Sequence, residues 1–131
     1  PIPIAGGEHE FTRWGAKSLL EKKVLDIYQF EPIWAGGMSE MIKISALLTS
    51  YDAVFIPHVY VPAASTQVAF TLNSLTTPML EYHYILGQIY QFFLTKPISP
   101  VNGKFYPPEE PGLGITIDQN KVDASREVTF D

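Results

Sequence analysis

The chain contains no cysteine in its 131 residues, so disulfide bonds and thiolate metal sites are excluded. It also has no apolar run of about 18 residues, which is the length that a membrane-spanning helix requires. Its first residues lack the charged and then apolar pattern of a secretory signal peptide. From these absences we expect a soluble protein that does not enter a membrane, and we assign it by default to the cytoplasm.

Positive charge is also scarce in this sequence. Nine lysine and arginine residues stand against 14 aspartate and glutamate residues, which gives a net charge of −5 and a pI near 5.1. Nucleic acids and anionic membrane surfaces bind basic patches, so we expect neither as a partner. Hydrophobic residues make up 46% of the chain and charged residues 18%, as in globular proteins. The length allows one domain at most.

Apolar runs and helical patterns alternate along the first part of the chain. An apolar run at 2–5 precedes a helical pattern at 13–24, for which Thr12 is the expected N-cap. Repetition of this order predicts parallel βαβ units. The further predicted strands are 26–30, 53–58 and 79–83, and the further predicted helices are 36–52 and 62–75.

Helical spacing also predicts which side chains face the core. In the first helix, Leu19, Leu20 and Val24 fall near one face together with a tryptophan. Four large side chains are therefore expected to pack inside the protein: Trp14, Trp34, Met38 and Met41.

Each predicted strand has a polar side chain at or just beyond its C-terminal end: Glu8, Glu31, His58 and Glu81. Their separations of 23, 27 and 23 residues each correspond to about one βα unit. In β/α barrels the active site is assembled at this end of the strands, from several strands at once. Three carboxylates and one imidazole are therefore expected to converge on one rim.

The number of strands sets the predicted fold class. A closed barrel needs eight strands in about 250 residues, whereas four are predicted here. We therefore expect an α/β fold, namely the C-terminal part of a TIM-like (β/α)7β barrel, with about four βα units at 1–95. Residues 96–131 are expected to form an extended tail that packs on the barrel or on a capping domain, with turns at Asn102-Gly103 and Pro111-Gly112.

Four stretches resemble the enolase superfamily in its mandelate racemase branch, most of all the acid-sugar dehydratases of the L-rhamnonate dehydratase type. They are IAGGEHEF, DIYQFEPIWAGGMSEMIKISALLTSYD, VFIPH and PVNGKFYPPEEPGLGITID. The pattern W-x-GG-x-(S/T)-E-x-x-K-I and the tail motif carry most of the specificity. The resemblance implies a Mg²⁺-dependent lyase that takes the proton alpha to a carboxylate of an acid sugar and eliminates water through an enediolate.

The resemblance also implies roles for individual positions. Glu8 matches the third carboxylate ligand of Mg²⁺, and His58 matches the base on the seventh strand. Glu81 matches the glutamate that hydrogen-bonds the substrate or its enediolate, while His9 is expected near the mouth as a substrate contact. Glu31 occupies the position of the aspartate that orients the histidine, so we predict His58, Glu31 and Glu81 as catalytic residues.

Some features depart from the family pattern and leave alternatives open. The family's first two metal ligands lie on strands that this chain does not have, so we expect weak or no Mg²⁺ binding and no activity from these residues alone. Glu31 is longer than aspartate, and Val59 and Tyr60 stand where the family has small residues. Racemisation or epimerisation, or a silent half-barrel that forms a homo-oligomer or pairs with the missing N-terminal half, are the alternatives. The sequence does not identify the acid sugar.

Overall fold

The computed structural model describes residues 1–126 and residue 128. The strands are β1 (Ala5–Gly6), β2 (Ile27–Tyr28) and β3 (Val54–Phe55). The helices are α1 (Thr12–Lys22), α2 (Pro32–Ala35), α3 (Met38–Thr49), α4 (Pro62–Phe70) and α5 (Leu86–Tyr90), and a 3₁₀ turn spans Gln119–Lys121. None of the helices in these residues is long and apolar enough to cross a membrane.

The three strands form one parallel sheet in the order β1-β2-β3. Ile27 is paired with Ala5 on one side and with Val54 on the other, so neighbouring strands run in register. Each connection contains a helix, as the alternation of apolar runs and helical patterns predicts. The predicted α/β fold built from βα units is therefore confirmed, although the strands are shorter than the apolar runs that contain them.

The core lies between the sheet and α3, which also contacts α1, α2 and α4. Tyr28, Phe30 and Phe55 form an aromatic column, with ring centroids 6.2 Å and 6.3 Å apart along it. Apolar side chains fill the rest of the core, and burial of their surface stabilises the fold. The fully or nearly fully buried members are Ala16, Leu20, Tyr28, Phe30, Ala35, Met41, Ile44, Leu48, Phe55 and Val68.

The two glycines of the W-x-GG pattern have a backbone role at the junction of α2 and α3. Gly36 ends α2 with φ 106°, and Gly37 precedes α3 with φ 89° and ψ 178°. Residues with a Cβ rarely adopt these angles, so glycine is favoured at both positions. The sharp junction brings Glu40 in the first turn of α3 towards the start of α1.

Glu40 joins α3 to the N-terminus of α1. Its Oε1 accepts from the backbone N–H of Arg13 at 2.9 Å and from Arg13 Nε at 2.8 Å. The backbone hydrogen bond, followed by the side-chain one, lowers the pKa of Glu40 below its usual value. The helix begins one residue earlier than predicted, with Phe11 at the N-cap position and Thr12 as the first helical residue. Thr12 has φ 57°, outside the helical range, and its Oγ1 accepts from the Trp14 N–H at 3.3 Å, as the predicted cap would. A carboxylate from another helix thus accepts from an N–H group that a local N-cap side chain normally satisfies.

Three expectations about packing are wrong. Trp14 is 69% exposed and Trp34 is 39% exposed, whereas Met41 is fully buried as expected. The buried face of α1 is formed by Ala16 and Leu20, which are four residues apart, and Trp14 does not lie on it. Val24 is also exposed, because α1 ends at Lys22 and the left-handed Lys23 turns the chain away.

The predicted fourth strand at 79–83 is not a strand in the described residues. Only isolated hydrogen bonds tie this part of the chain to β3: Phe55 N–H donates to Thr76 O at 2.8 Å, and Glu81 N–H donates to Pro57 O at 3.3 Å. Pro57 has no N–H to donate, which interrupts a regular ladder here. The segment nevertheless runs beside the end of β3, and this places Glu81 near His58.

The tail has the two predicted turns. Val101 and Lys104 pair across Asn102-Gly103, both of which have positive φ, and Gly114 N–H donates to Pro111 O. The tail then returns to the segment that follows α5, where Asp118 N–H donates to Phe93 O at 2.7 Å. The predicted boundary between the barrel part and the tail at residue 95 stays a prediction. Residues 127 and 129–131 of the predicted tail lie outside the part of the chain that the structure describes.

Candidate active site

The candidate site lies at the C-terminal edge of the sheet, where parallel strands bring their following residues together. Gln29 and Glu31 follow β2, His58 follows β3, and Glu81 is carried by the segment beside β3. Glu8 follows β1 and is half-buried, while its neighbour His9 is exposed. The edge therefore presents the residue types that the sequence predicts, although their contacts differ from the expected ones.

His58 is held by a carboxylate on one side of its ring. His58 Nδ1 lies 2.6 Å from Glu81 Oε2, and the same oxygen accepts from Gln29 Nε2 at 2.8 Å. His58 is 8% exposed, and its Nε2 is buried without a hydrogen-bond partner among the described residues. The ring is therefore fixed through Nδ1, and Nε2 is the nitrogen left to exchange a proton with a bound molecule.

This environment favours the protonated form of His58. The hydrogen bond with Glu81 raises the pKa of His58, burial opposes this rise, and the charges of Glu81, Glu8 and Glu31 add to it. The rise shifts the balance between the two forms of the imidazole towards the imidazolium. Such a group can take a proton and give it back, as a general base and acid must.

Glu31 has a different set of contacts from the one expected. Its Oε2 accepts from the backbone N–H of Ile33 at 2.6 Å, so the side chain caps α2. No hydrogen bond joins Glu31 to His58 in the described residues. Glu31 is fully buried, and its Oε1 has no hydrogen-bond partner within that part of the chain. Its place as orienting residue stays a prediction that these contacts do not support.

Burial dominates the charge behaviour of Glu31. Desolvation raises the pKa of Glu31, and the backbone N–H groups of Ile33, Trp34 and Val61 together with the charge of His58 pull it down. A buried carboxylate with one free oxygen is costly to ionise. In its ionised form, Glu31 adds negative charge near His58 without a hydrogen bond to it in the described residues.

Aromatic rings line the mouth on the side of His58. The ring of Tyr60 lies edge-on to His58 at 4.4 Å, and Tyr90 packs on Tyr60 at 5.6 Å. His9 contacts Trp34 with ring centroids 4.9 Å apart. Tyr60 therefore lies beside His58, whereas Val59 is fully buried. Gln29 was not among the predicted site residues. The available signal was the spacing of two residues between Gln29 and Glu31 in the extended stretch after β2.

The residues present do not by themselves form a magnesium site. Mg²⁺ prefers several oxygen ligands in an octahedron, and one carboxylate competes poorly with its hydration shell. In residues 1–126 and 128, no group of three or more acidic, histidine or cysteine side chains is placed to hold a metal ion. Glu8 stays the predicted ligand, and the described residues bring no further ligands together around it.

We expect isothermal titration of the 131-residue chain with Mg²⁺ to show binding no tighter than about millimolar. The reason is that Glu8 is the single predicted ligand at the rim. The Glu8→Gln variant gives the background, and its titration curve should be nearly the same. Tight binding that Glu8→Gln abolishes would contradict this account and would mean that other groups of the chain complete the site.

Comparison with known sequences assigns the family. Residues 1–121 match the sequence model described as enolase C-terminal domain-like. The chain belongs to this family. Because the match extends over most of the chain, both the βα units and the tail up to Lys121 belong to the enolase-type domain.

Two curated relatives are dehydratases of acid sugars. The chain is 37% identical to L-rhamnonate dehydratase of Saccharopolyspora erythraea over 86% of its own length and 30% of that enzyme. It is 35% identical to arabinonate dehydratase of Saccharolobus solfataricus over 88% of its length and 31% of that enzyme. The chain thus spans about a third of the length of the curated relatives it matches.

Solved structures of the same branch have a similar fold. The 3,6-anhydro-D-galactonate cycloisomerase of Zobellia galactanivorans matches with a TM-score of 0.80 and 31% identity, covering 92% of this chain and 34% of that one. A mandelate racemase/muconate lactonizing enzyme from a marine actinobacterium, solved in complex with magnesium, matches with a TM-score of 0.75 and 25% identity, covering 91% and 33%. The resemblance seen in the sequence is therefore confirmed, and magnesium use is supported for the family.

Proposed function

We propose that this chain supplies the proton-transfer part of a Mg²⁺-dependent acid-sugar dehydratase, in which His58 takes the proton alpha to the substrate carboxylate. The observation that carries the proposal is the state of the His58 ring: Nδ1 is bound by Glu81, and Nε2 is buried and unpartnered among the described residues. In the neutral form of an imidazole held in this way, Nε2 is the nitrogen that accepts a proton.

The proposed proton transfers use residues of this chain. His58 Nε2 accepts the alpha proton, and Glu81 stabilises the imidazolium that forms. Loss of the hydroxyl on the next carbon, helped by return of the proton, gives an enol that becomes a 2-oxo acid. The family's Mg²⁺ would stabilise the negative charge on the substrate carboxylate, but this chain contributes only Glu8 towards its ligands.

The proposed substrate class is an acid sugar with a hydroxyl beside its alpha carbon. Support comes from the relatives, since the rhamnonate and arabinonate enzymes are dehydratases. One similar structure is a cycloisomerase. The more general form of the proposal is therefore the first step alone, abstraction of an alpha proton, which a dehydratase and a cycloisomerase would share.

The test uses the complete polypeptide that contains these residues, with a panel of acid sugars and Mg²⁺ in D₂O. We expect exchange of the alpha proton, seen by NMR, together with formation of a 2-oxo acid, seen by reaction with semicarbazide. Exchange without loss of water would favour a racemase, epimerase or cycloisomerase. Absence of both for every acid sugar would refute the proposal. We expect the 131-residue chain alone to be inactive.

A second candidate is a silent chain that assembles with a partner, and exposed apolar side chains favour it. Ile2 and Leu75 are 85% and 87% exposed, and Ile89 and Phe92 are also largely exposed. β1 has a free edge in the described sheet, and such edges invite pairing. We therefore propose that the chain forms a homo-oligomer or pairs with the missing N-terminal half. Light scattering should show a species larger than 14.7 kDa, and a strict monomer would contradict this.

A further inference from the structure

The ring of His58 has one carboxylate partner, and it is not the one at the end of the neighbouring strand β2. Glu81 Oε2 lies 2.6 Å from His58 Nδ1, on the segment that follows α4. Glu81 is itself held, because Gln29 Nε2 donates to the same oxygen at 2.8 Å. A carboxylate oxygen that receives two donors has a fixed position and so fixes the ring beside it.

Glu31 makes a different contact, because its carboxylate caps α2. It stands at the N-cap of α2 with an extended backbone, and its carboxylate accepts from the N–H two residues ahead. Carboxylates are favoured at helix N-termini because they satisfy N–H groups that have no partner within the helix. Once Oε2 is used in this way, Glu31 does not hydrogen-bond His58 in the described residues.

We propose that Glu81 is the positioning residue of His58, that Gln29 holds Glu81 in place, and that Glu31 acts as the cap of α2. In this arrangement the orienting carboxylate comes from the segment after β3 rather than from the end of β2. Glu81 fixes the tautomer with the proton on Nδ1, so that Nε2 is the basic nitrogen. The geometric part of this proposal is independent of the proposed function, and its catalytic consequence rests on it.

The experiment is a ¹⁵N and ¹H NMR titration of the histidines in the 131-residue chain, without substrate. The chain has three histidines, so the variants His9→Gln and His83→Gln assign the His58 signal. In the parent chain we expect neutral His58 to carry its proton on Nδ1. Glu81→Gln should weaken the proton affinity of His58 about tenfold or more, since an opposite charge in contact has an effect of this size.

The matched variant is Glu31→Gln, which removes a second charge near His58 without removing a hydrogen bond to it. We expect it to change the proton affinity less than about threefold and to leave the Nδ1 tautomer unchanged. Gln29→Leu should reduce the proton affinity of His58 by an amount between those of Glu31→Gln and Glu81→Gln. Glu81→Asp should lose less proton affinity than Glu81→Gln, because it keeps a carboxylate. A folding defect would be seen as lost dispersion in the amide spectrum, and the tautomer of the parent chain is then the deciding measurement.

Two results would overturn this proposal. One is a larger loss of proton affinity in Glu31→Gln than in Glu81→Gln, and the other is a neutral His58 that carries its proton on Nε2. Because the titration measures no turnover, it tests the His58–Glu81–Gln29 arrangement independently of the proposed enzymatic activity. A chain that passes the titration and fails the acid-sugar assay loses the proposed activity and keeps the His58–Glu81–Gln29 arrangement.

Discussion

Replacing His58 by asparagine in the complete polypeptide is expected to lower alpha-proton exchange by a factor of about 10² to 10⁴, the usual contribution of a general base. Asparagine retains an amide N–H that can donate to Glu81 in place of Nδ1, but it has no basic nitrogen. The base is therefore removed while the hydrogen bond that holds Glu81 is preserved. Exchange is measured by loss of the alpha-proton signal in D₂O.

His83→Asn is the matched control. The His83 ring lies 6.3 Å from the His58 ring, and its Nδ1 accepts from the backbone N–H of Leu86 at 3.2 Å, a local contact that an asparagine can also make. This variant should keep exchange within a few-fold of the parent. Equal losses in both variants would mean that the defect is structural, and persistent exchange in His58→Asn would remove His58 from the base role.

The pH dependence follows from the same contact. The hydrogen bond with Glu81 raises the pKa of His58, so the neutral, basic form is reached at a higher pH than for a free histidine. Exchange should therefore increase with pH through a pKa above 6.5. The sign for stability is the opposite: a raised folded-state pKa stabilises the fold fully below the unfolded pKa, and this contribution is lost as pH rises through the folded pKa. His58→Asn should flatten that part of the stability curve.

The fold was predictable from the sequence where local signals and tertiary packing agree. Apolar runs alternate with helical patterns, and this is enough to predict a parallel sheet with Glu31 and His58 at one edge. The order of elements depends on short-range patterns that tertiary contacts reinforce. The contact that satisfies the Arg13 N–H at the start of α1 was not predictable, because its acceptor belongs to Glu40, 27 residues away.

The partner of His58 was not predictable for a related reason. The strand-end rule brings Glu31 and Glu81 to one edge but does not say which carboxylate reaches Nδ1. That choice depends on side-chain geometry: Glu31 can close a turn at α2, whereas Glu81 has a donor waiting in Gln29. Competition of this kind is decided by hydrogen bonds a few residues away, and sequence spacing does not record them.

The second large effect concerns the core beneath the site. Phe30→Ala is expected to lower the free energy of unfolding by about 3–5 kcal/mol, as for other fully buried phenylalanines. Phe30 is fully buried between Tyr28 and Phe55, and one edge of its ring lies 3.7 Å from the position a Cβ on Gly7 would take. Its removal leaves a cavity between Tyr28 and Phe55, and the cost of this cavity adds to the lost burial of the ring.

The same residue links the core to the site, since Phe30 O accepts from the backbone N–H of His58 at 3.3 Å. Chemical denaturation gives the loss of stability, and Phe70→Ala is the control because Phe70 is half exposed on α4. The control should cost about 1 kcal/mol or less. Phe30→Leu should lose less than about 1.5 kcal/mol, because it keeps most of the volume. If Phe30→Ala cost no more than Phe70→Ala, the aromatic column would not be the centre of the core, and the placement of His58 on it would be wrong.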